Sequence, residues 1–187
     1  YHNLGLHEHS LASYQQALAK KEKLSLNRYA RAAKVLISRG SYGAGFRYLE
    51  EIEKIFGQGF SEEDERIIRM LQAEVRIATG KRKEAAQILE GGIQKRPLDG
   101  EALILSARLA SEELDYAQAA LRFERAAKLP NFEVEALIGH ARMLVGAKDY
   151  QQAADLLERA QSLEPQPRVA RYLQAINNLN LSARKSI

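Results

Sequence analysis

The chain lacks cysteine and tryptophan and has only four prolines among its 187 residues. Without cysteine it can form neither a disulfide nor a cysteine-ligated zinc site, and both reducing and oxidising compartments stay open. No apolar run approaches the roughly 20 residues that a helix needs to cross a bilayer. Alternating runs of Val, Ile and Thr are also missing, and Ala, Leu, Glu, Gln, Lys and Arg dominate. This composition predicts an all-α protein.

One segment occurs twice in the second half of the chain, at a spacing of 34 residues. Residues 103–107 match residues 137–141, and residues 115–116 match residues 149–150. Alanine recurs at the same distance, in the pairs Ala119 and Ala153, and Ala126 and Ala160. Two helices cross closely only where the side chain between them is small. The repeated alanines therefore predict closely packed helix pairs.

Each copy has the apolar spacing of two helices joined by a turn. Leu137, Ala141 and Leu144 share one helical face, and Ala153, Leu157 and Ala160 share another. Between them, residues 146–150 contain a helix stop and a cap for the next helix. A helix-turn-helix unit of about 34 residues is the period of the tetratricopeptide repeat (TPR). The sequence resembles that family, which implies a right-handed superhelical array of antiparallel helix pairs.

The resemblance implies a single tetratricopeptide-like domain over residues 1–187. Its expected parts are a partial or irregular repeat at 1–24, repeats at 26–57, 66–99, 100–133 and 134–167, and a capping helix at 168–187. The start departs from the period, because Tyr14 and Tyr42 are only 42 − 14 = 28 residues apart. Either its second helix is clipped or residues 1–23 form one long helix, and the truncated start suggests that further repeats precede it. After an insertion at residues 57–64, Ser61 followed by Asp64 predicts a helix N-cap.

No residue pattern in the sequence predicts catalysis. The cluster of His2, His7, Glu8 and His9 lacks the spacing of a zinc-protease helix, so these residues are expected to be solvated. The glycines of residues 41–46 lie between two helices, with no preceding strand and no Gly-Lys-Ser/Thr. We therefore expect no enzyme activity, no catalytic or metal site and no cofactor.

In the family, the first helices of successive units line a concave groove that takes an extended peptide or a partner's helix. By resemblance, the partner-binding groove is expected to include Asn27, Lys34, Met70, Glu74, Glu101, Ile104, Arg108, Glu135, Ile138, Arg142 and Tyr172. Met70, Ile104, Ile138 and Tyr172 would form an apolar stripe. Arg108 and Arg142 would bind carboxylates or phosphorylated residues. The alternative is that both arginines pair with Glu101, Glu112 or Glu135.

The resemblance predicts a non-catalytic scaffold or adaptor that binds a protein or peptide. The chaperone-tail clamp of some family members is absent, since Ala30, Lys34, Leu71, Glu101 and Leu105 occupy the matching places. A net charge of +4 with basic clusters leaves a nucleic-acid-binding solenoid as the alternative class, although interspersed glutamates argue against it. Self-assembly through the repeat ends, or membership of a longer array, is a third reading. The absence of cysteine and the resemblance to bacterial repeat proteins favour a bacterial periplasm or cell envelope.

Overall fold

The computed structural model describes residues 26–56 and 61–185, and of residues 1–25 only Ala12 and Gln16, both helical. This described part contains no strand. Its helices are α1 (Leu26–Ser38), α2 (Tyr42–Phe56), α3 (Glu62–Ala78), α4 (Arg82–Lys95), α5 (Gly100–Glu112), α6 (Tyr116–Ala126), α7 (Glu133–Gly146), α8 (Tyr150–Leu163) and α9 (Pro167–Lys185). The all-α prediction is confirmed. The histidine cluster, the partial first repeat and residues 57–60 of the insertion lie outside the described residues.

The chain divides into two compact units, Tyr1–Ile88 and Leu89–Ile187, and the division falls within α4. In the first unit, α1, α2 and α3 pack against one another around a shared core. Ala33, Tyr48 and Ile52 lie at its centre with at most 1% of their surface exposed. Burial of these apolar side chains is the main force that holds the three helices together.

In the second unit, α5 packs against α6, α7 against α8, and α9 against α8. The four repeated alanines lie between these helices, and each of them has 0% of its surface exposed: Ala119, Ala126, Ala153 and Ala160. A larger side chain at any of these positions would push two helix backbones apart. The 34-residue pattern is therefore a pattern of helix contacts.

The first helix of each pair, namely α1, α3, α5 or α7, ends in the same backbone conformation. A residue with positive φ follows the helix, namely Gly40, Gly80, Leu114 or Lys148. The next residue donates its backbone N–H back to the helix, as from Asp149 to the Leu144 carbonyl at 2.9 Å, which is the Schellman hydrogen bond. In the second unit that same residue, Asp115 or Asp149, caps the following helix with its carboxylate.

The insertion before α3 ends in the cap that the sequence predicts. The Ser61 hydroxyl accepts a hydrogen bond from the Asp64 backbone N–H at 3.2 Å, and the Asp64 carboxylate accepts one from the Ser61 N–H. This is a capping box. Four acidic residues in the first turn of α3 add a favourable interaction with the helix dipole. None of the helices in the described residues has the length and apolar character needed to span a membrane.

Candidate functional site

The first helices of the pairs in the second unit, α5 and α7, lie side by side. Their exposed face carries Glu101 and Arg108 on α5, and Glu135 and Arg142 on α7. Arg108 Nη2 lies 2.7 Å from Glu135 Oε1, and this ion pair joins the two helices. Both side chains are about half exposed, at 46% and 54%, so solvent weakens the pair to roughly 0.2–1 kcal/mol. Its main effect is that the charge of Arg108 is already neutralised.

Arg142 is the repeat equivalent of Arg108 and has a different environment. The residue equivalent to Glu135 is Val169 on α9, which is buried and carries no charge. Arg142 is exposed, and no ion pair joins it to another residue in the described part of the chain. Of the two alternatives from sequence, Arg108 therefore shows internal pairing, whereas Arg142 keeps a cation available to solvent.

Tyr172 on α9 is the polar neighbour of Arg142. Partial burial raises the pKa of the Tyr172 hydroxyl, and the positive charge of Arg142 acts in the opposite direction. The phenol is therefore protonated at neutral pH and can donate a hydrogen bond. A guanidinium beside a phenolic hydroxyl provides several donors for a carboxylate or a phosphate. Arg142 and Tyr172 are the residues of the second unit that are best suited to an anionic group.

The apolar stripe expected from the sequence is largely covered. Ile104 and Ile138 are 3% and 8% exposed, because they pack within the second unit. Met70 on α3 and Tyr172 are half-buried. The surface that an apolar ligand could cover is therefore smaller than four large side chains imply.

In the first unit, α1 packs against α3 and presents Lys34 to solvent. Lys34 has no ion pair with any residue whose side chain the structure describes. Glu74 on α3 is half-buried, and the side chain of Asn27 lies outside the described residues. Arg76, also on α3, holds its guanidinium 5.1 Å from the centre of the Phe46 ring and pairs with Glu84 at 3.2 Å. Lys34 is thus the accessible cation among the expected groove residues of this unit.

A cavity of about 540 Å³ lies in the second unit, among α6, α7 and α8. Sequence reasoning did not identify it. Phe123 from α6 and His140 from α7 stack in it, with ring centres 5.8 Å apart and planes inclined by 15°. Burial lowers the pKa of His140, and the Glu124 carboxylate opposes this shift. The imidazole is therefore neutral at pH 7 and adds to an apolar floor.

The described residues contain no group of three or more His, Cys, Asp or Glu side chains that could hold a metal ion. What the described surfaces offer is recognition chemistry: single cations, a phenol and an apolar cavity.

No protein family and no curated protein gives a significant sequence match to this chain. Among solved structures it is similar to YrrB, described as a TPR protein with an unusual peptide-binding site, at 17% sequence identity and a TM-score of 0.65. The likeness covers 92% of this chain and 86% of YrrB. The helix pairs, their 34-residue spacing and this structural likeness agree. The chain has the fold of a tetratricopeptide-repeat protein.

Proposed function

We propose that this chain is a non-catalytic scaffold that binds a peptide segment or a helix of a partner protein across the first helices of its pairs. The observation that carries the proposal is the difference between two equivalent arginines. Arg108 is neutralised by Glu135, whereas Arg142 lies beside Tyr172 with no carboxylate in the equivalent place. The TPR fold and the peptide-binding site named for the structural neighbour support a protein-interaction role.

The proposed ligand carries an acidic side chain, a phosphorylated side chain or a terminal carboxylate that pairs with Arg142. A guanidinium binds such groups with two parallel hydrogen bonds, and the Tyr172 hydroxyl adds a third donor. An apolar side chain of the ligand contacts the partly exposed ring of Tyr172. The other groove residues expected by resemblance, among them Asn27, Lys34, Met70, Glu74, Glu101 and Glu135, stay predicted contacts.

The test is selection of peptides from a random display library on the intact chain, followed by affinity measurement on single variants. We expect the selected peptides to contain an acidic or terminal carboxylate next to apolar residues. Arg142→Glu should weaken the best peptide at least about tenfold, because a hydrogen-bonded charge pair contributes roughly 1.5–3 kcal/mol.

Arg108→Glu is the matched control, because it makes the same charge change one repeat earlier at a residue that is already paired. Its effect on affinity should be clearly smaller than that of Arg142→Glu. Circular dichroism would establish that both variants keep the helical fold. Equal losses for the two variants, or selected peptides without any acidic group, would contradict the proposed anchor.

A further inference from the structure

The cavity among α6, α7 and α8 exists because two residues differ from their equivalents one repeat earlier. At the preceding junction, between α4 and α6, Ile93 is buried at 5% exposure and Arg122 pairs with Glu90 at 2.9 Å. Thirty-four residues later these positions hold Ala127 and Leu156. The smaller alanine and the loss of the crossing arginine leave open the space that Ile93 and Arg122 fill in the earlier repeat.

Glu124 is the repeat equivalent of Glu90 and has lost its arginine. The Glu124 carboxylate lines the cavity and interacts electrostatically with His140. In the turn that follows α6, Lys128 also lines the cavity and has no ion pair within the described part of the chain. This wall therefore carries an acidic group in the last turn of α6 and a basic group just beyond the end of the helix.

The opposite wall repeats this order. On α8, Asp155 is followed one turn later by Arg159, which pairs with Glu133. Short turns between consecutive packed helices make them alternate in direction, so α6 and α8 run the same way. The cavity accordingly has Glu124 and Asp155 at one end, Lys128 and the Glu133-paired Arg159 at the other, and an apolar floor of Phe123, Leu137 and His140.

We propose that this cavity is a second partner-binding site, distinct from the surface of the first helices, and that it takes a helical segment of a partner protein. The segment inserts one aromatic or large aliphatic side chain between α6 and α8. A basic residue on one side of this anchor meets Glu124, and an acidic residue on the other side meets Lys128. One wall is α6 with the turn after it and the other is α8, and each has an acidic residue followed four residues later by a basic residue. A helix lying between them can place complementary charges on one face.

The size of the cavity agrees with a side-chain anchor. At about 540 Å³ it exceeds the space of one large side chain and accommodates the neighbouring turn of a helix as well. The anchor replaces, from outside the chain, the apolar volume that Ile93 supplies at the earlier junction. Its flanking cation replaces the arginine that Glu124 lacks.

The experiment uses the intact chain and a fluorescent, alanine-rich helical peptide with Lys, Phe and Glu at positions i, i+3 and i+7. Binding is measured by fluorescence anisotropy, and the His140 ring is followed by NMR. We expect the peptide to bind and to shift the His140 signals. Replacement of Phe by Ala in the peptide should weaken binding at least about tenfold, since the buried anchor supplies most of the affinity.

Leu156→Arg reinstates the residue of the earlier repeat, and its guanidinium can pair with Glu124 as Arg122 pairs with Glu90. This variant should bind the peptide at least about tenfold more weakly. Leu121→Arg is the matched control, because Leu121 is an exposed leucine on α6 that does not line the cavity. It should leave the affinity unchanged.

A charge exchange provides a second, independent test. Lys128→Glu should weaken the original peptide but strengthen a peptide with Lys on both sides of the anchor, because both charged positions on the α6 side are then acidic and Arg159 on the other side is already paired with Glu133. Absence of binding, or binding that survives Leu156→Arg and Lys128→Glu, would overturn the proposal. Loss of binding with Arg142→Glu but not with Leu156→Arg would also overturn it, because the peptide would then occupy the surface of the first helices.

Discussion

Phe123 packs so closely against Gly139 that the phenylalanine leaves no room for a side chain at residue 139. Phe123 is 1% exposed and is held against His140, so its ring has little freedom to move. A Cβ atom at Gly139 would lie 2.5 Å from Phe123 Cε1, well inside contact distance. One repeat earlier the equivalent residues are Leu89 and Leu105. The glycine is therefore required by the larger phenylalanine and not by the turn or the helix.

Gly139→Ala should accordingly lower the free energy of unfolding by about 1–3 kcal/mol, the usual cost of overpacking a core. Adding Phe123→Leu should restore part of this loss, because the shorter side chain vacates the clash. Urea unfolding of the two single variants and the double variant measures the coupling between the positions. Gly91→Ala is the control, since no atom lies within 4 Å of its added Cβ. Simple additivity of the two changes would contradict the steric account.

At the scale of the helix pairs, the turn geometry is fixed while its residue varies. The positive-φ position is glycine in the first unit, at Gly40 and Gly80, but leucine and lysine in the second, at Leu114 and Lys148. A side chain in this conformation crowds its own backbone, and glycine avoids that cost. Leu114 is 70% exposed, so little packing offsets the strain.

Leu114→Gly and Lys148→Gly should each stabilise the second unit, by about 0.5–1 kcal/mol after the greater freedom of glycine in the unfolded chain is counted. Thermal unfolding followed by circular dichroism would show an increase in Tm for each variant. Gly80→Ala is the reverse experiment in the first unit and should lower Tm. If the glycine variants melted at a lower temperature than the natural chain, the side chains at 114 and 148 would have packing roles that their exposure does not indicate.

The helix contacts of the second unit were predictable from sequence, because their residues recur every 34 positions. The alanines between helices and the Ser61 cap follow from local spacing, and the structure contains them where expected. In the predicted turn at residues 146–150, the stop occurs at Lys148, whereas Gly146 is the last residue of α7. A helix ends where its hydrogen-bonded register requires, so glycine locates the turn only to within about two residues.

The candidate sites were less predictable, because they depend on contacts between residues far apart in the chain. Periodicity cannot show that Glu135 reaches Arg108 whereas Val169 lies in the equivalent place for Arg142. It also does not reveal an opening created by Ala127 and Leu156 together. A comparison of the two repeats residue by residue contains that signal, since both positions depart from Ile93 and Arg122.

At the scale of the whole molecule, the positive charge is distributed among local ion pairs. Several arginines of the described residues lie within 4 Å of a glutamate carboxylate, among them Arg66, Arg69, Arg76, Arg108, Arg122 and Arg159. A surface that binds nucleic acid needs cations that replace the counterions of many phosphates at once. Here the glutamates already act as counterions, which leaves separate cations such as Lys34, Lys128 and Arg142.

We therefore expect that single-stranded and duplex oligonucleotides bind this chain no more tightly than roughly 100 μM at physiological salt, the weak limit of non-specific binding. Fluorescence anisotropy with a labelled oligonucleotide measures this directly, and a salt series separates phosphate contacts from other interactions. The peptide of the cavity experiment serves as the positive control, because its apolar anchor makes its affinity depend less on salt. A dissociation constant near 1 μM that rises steeply with salt would mean that the paired arginines exchange their glutamates for phosphates. That result would favour a nucleic-acid-binding protein over a protein-binding scaffold.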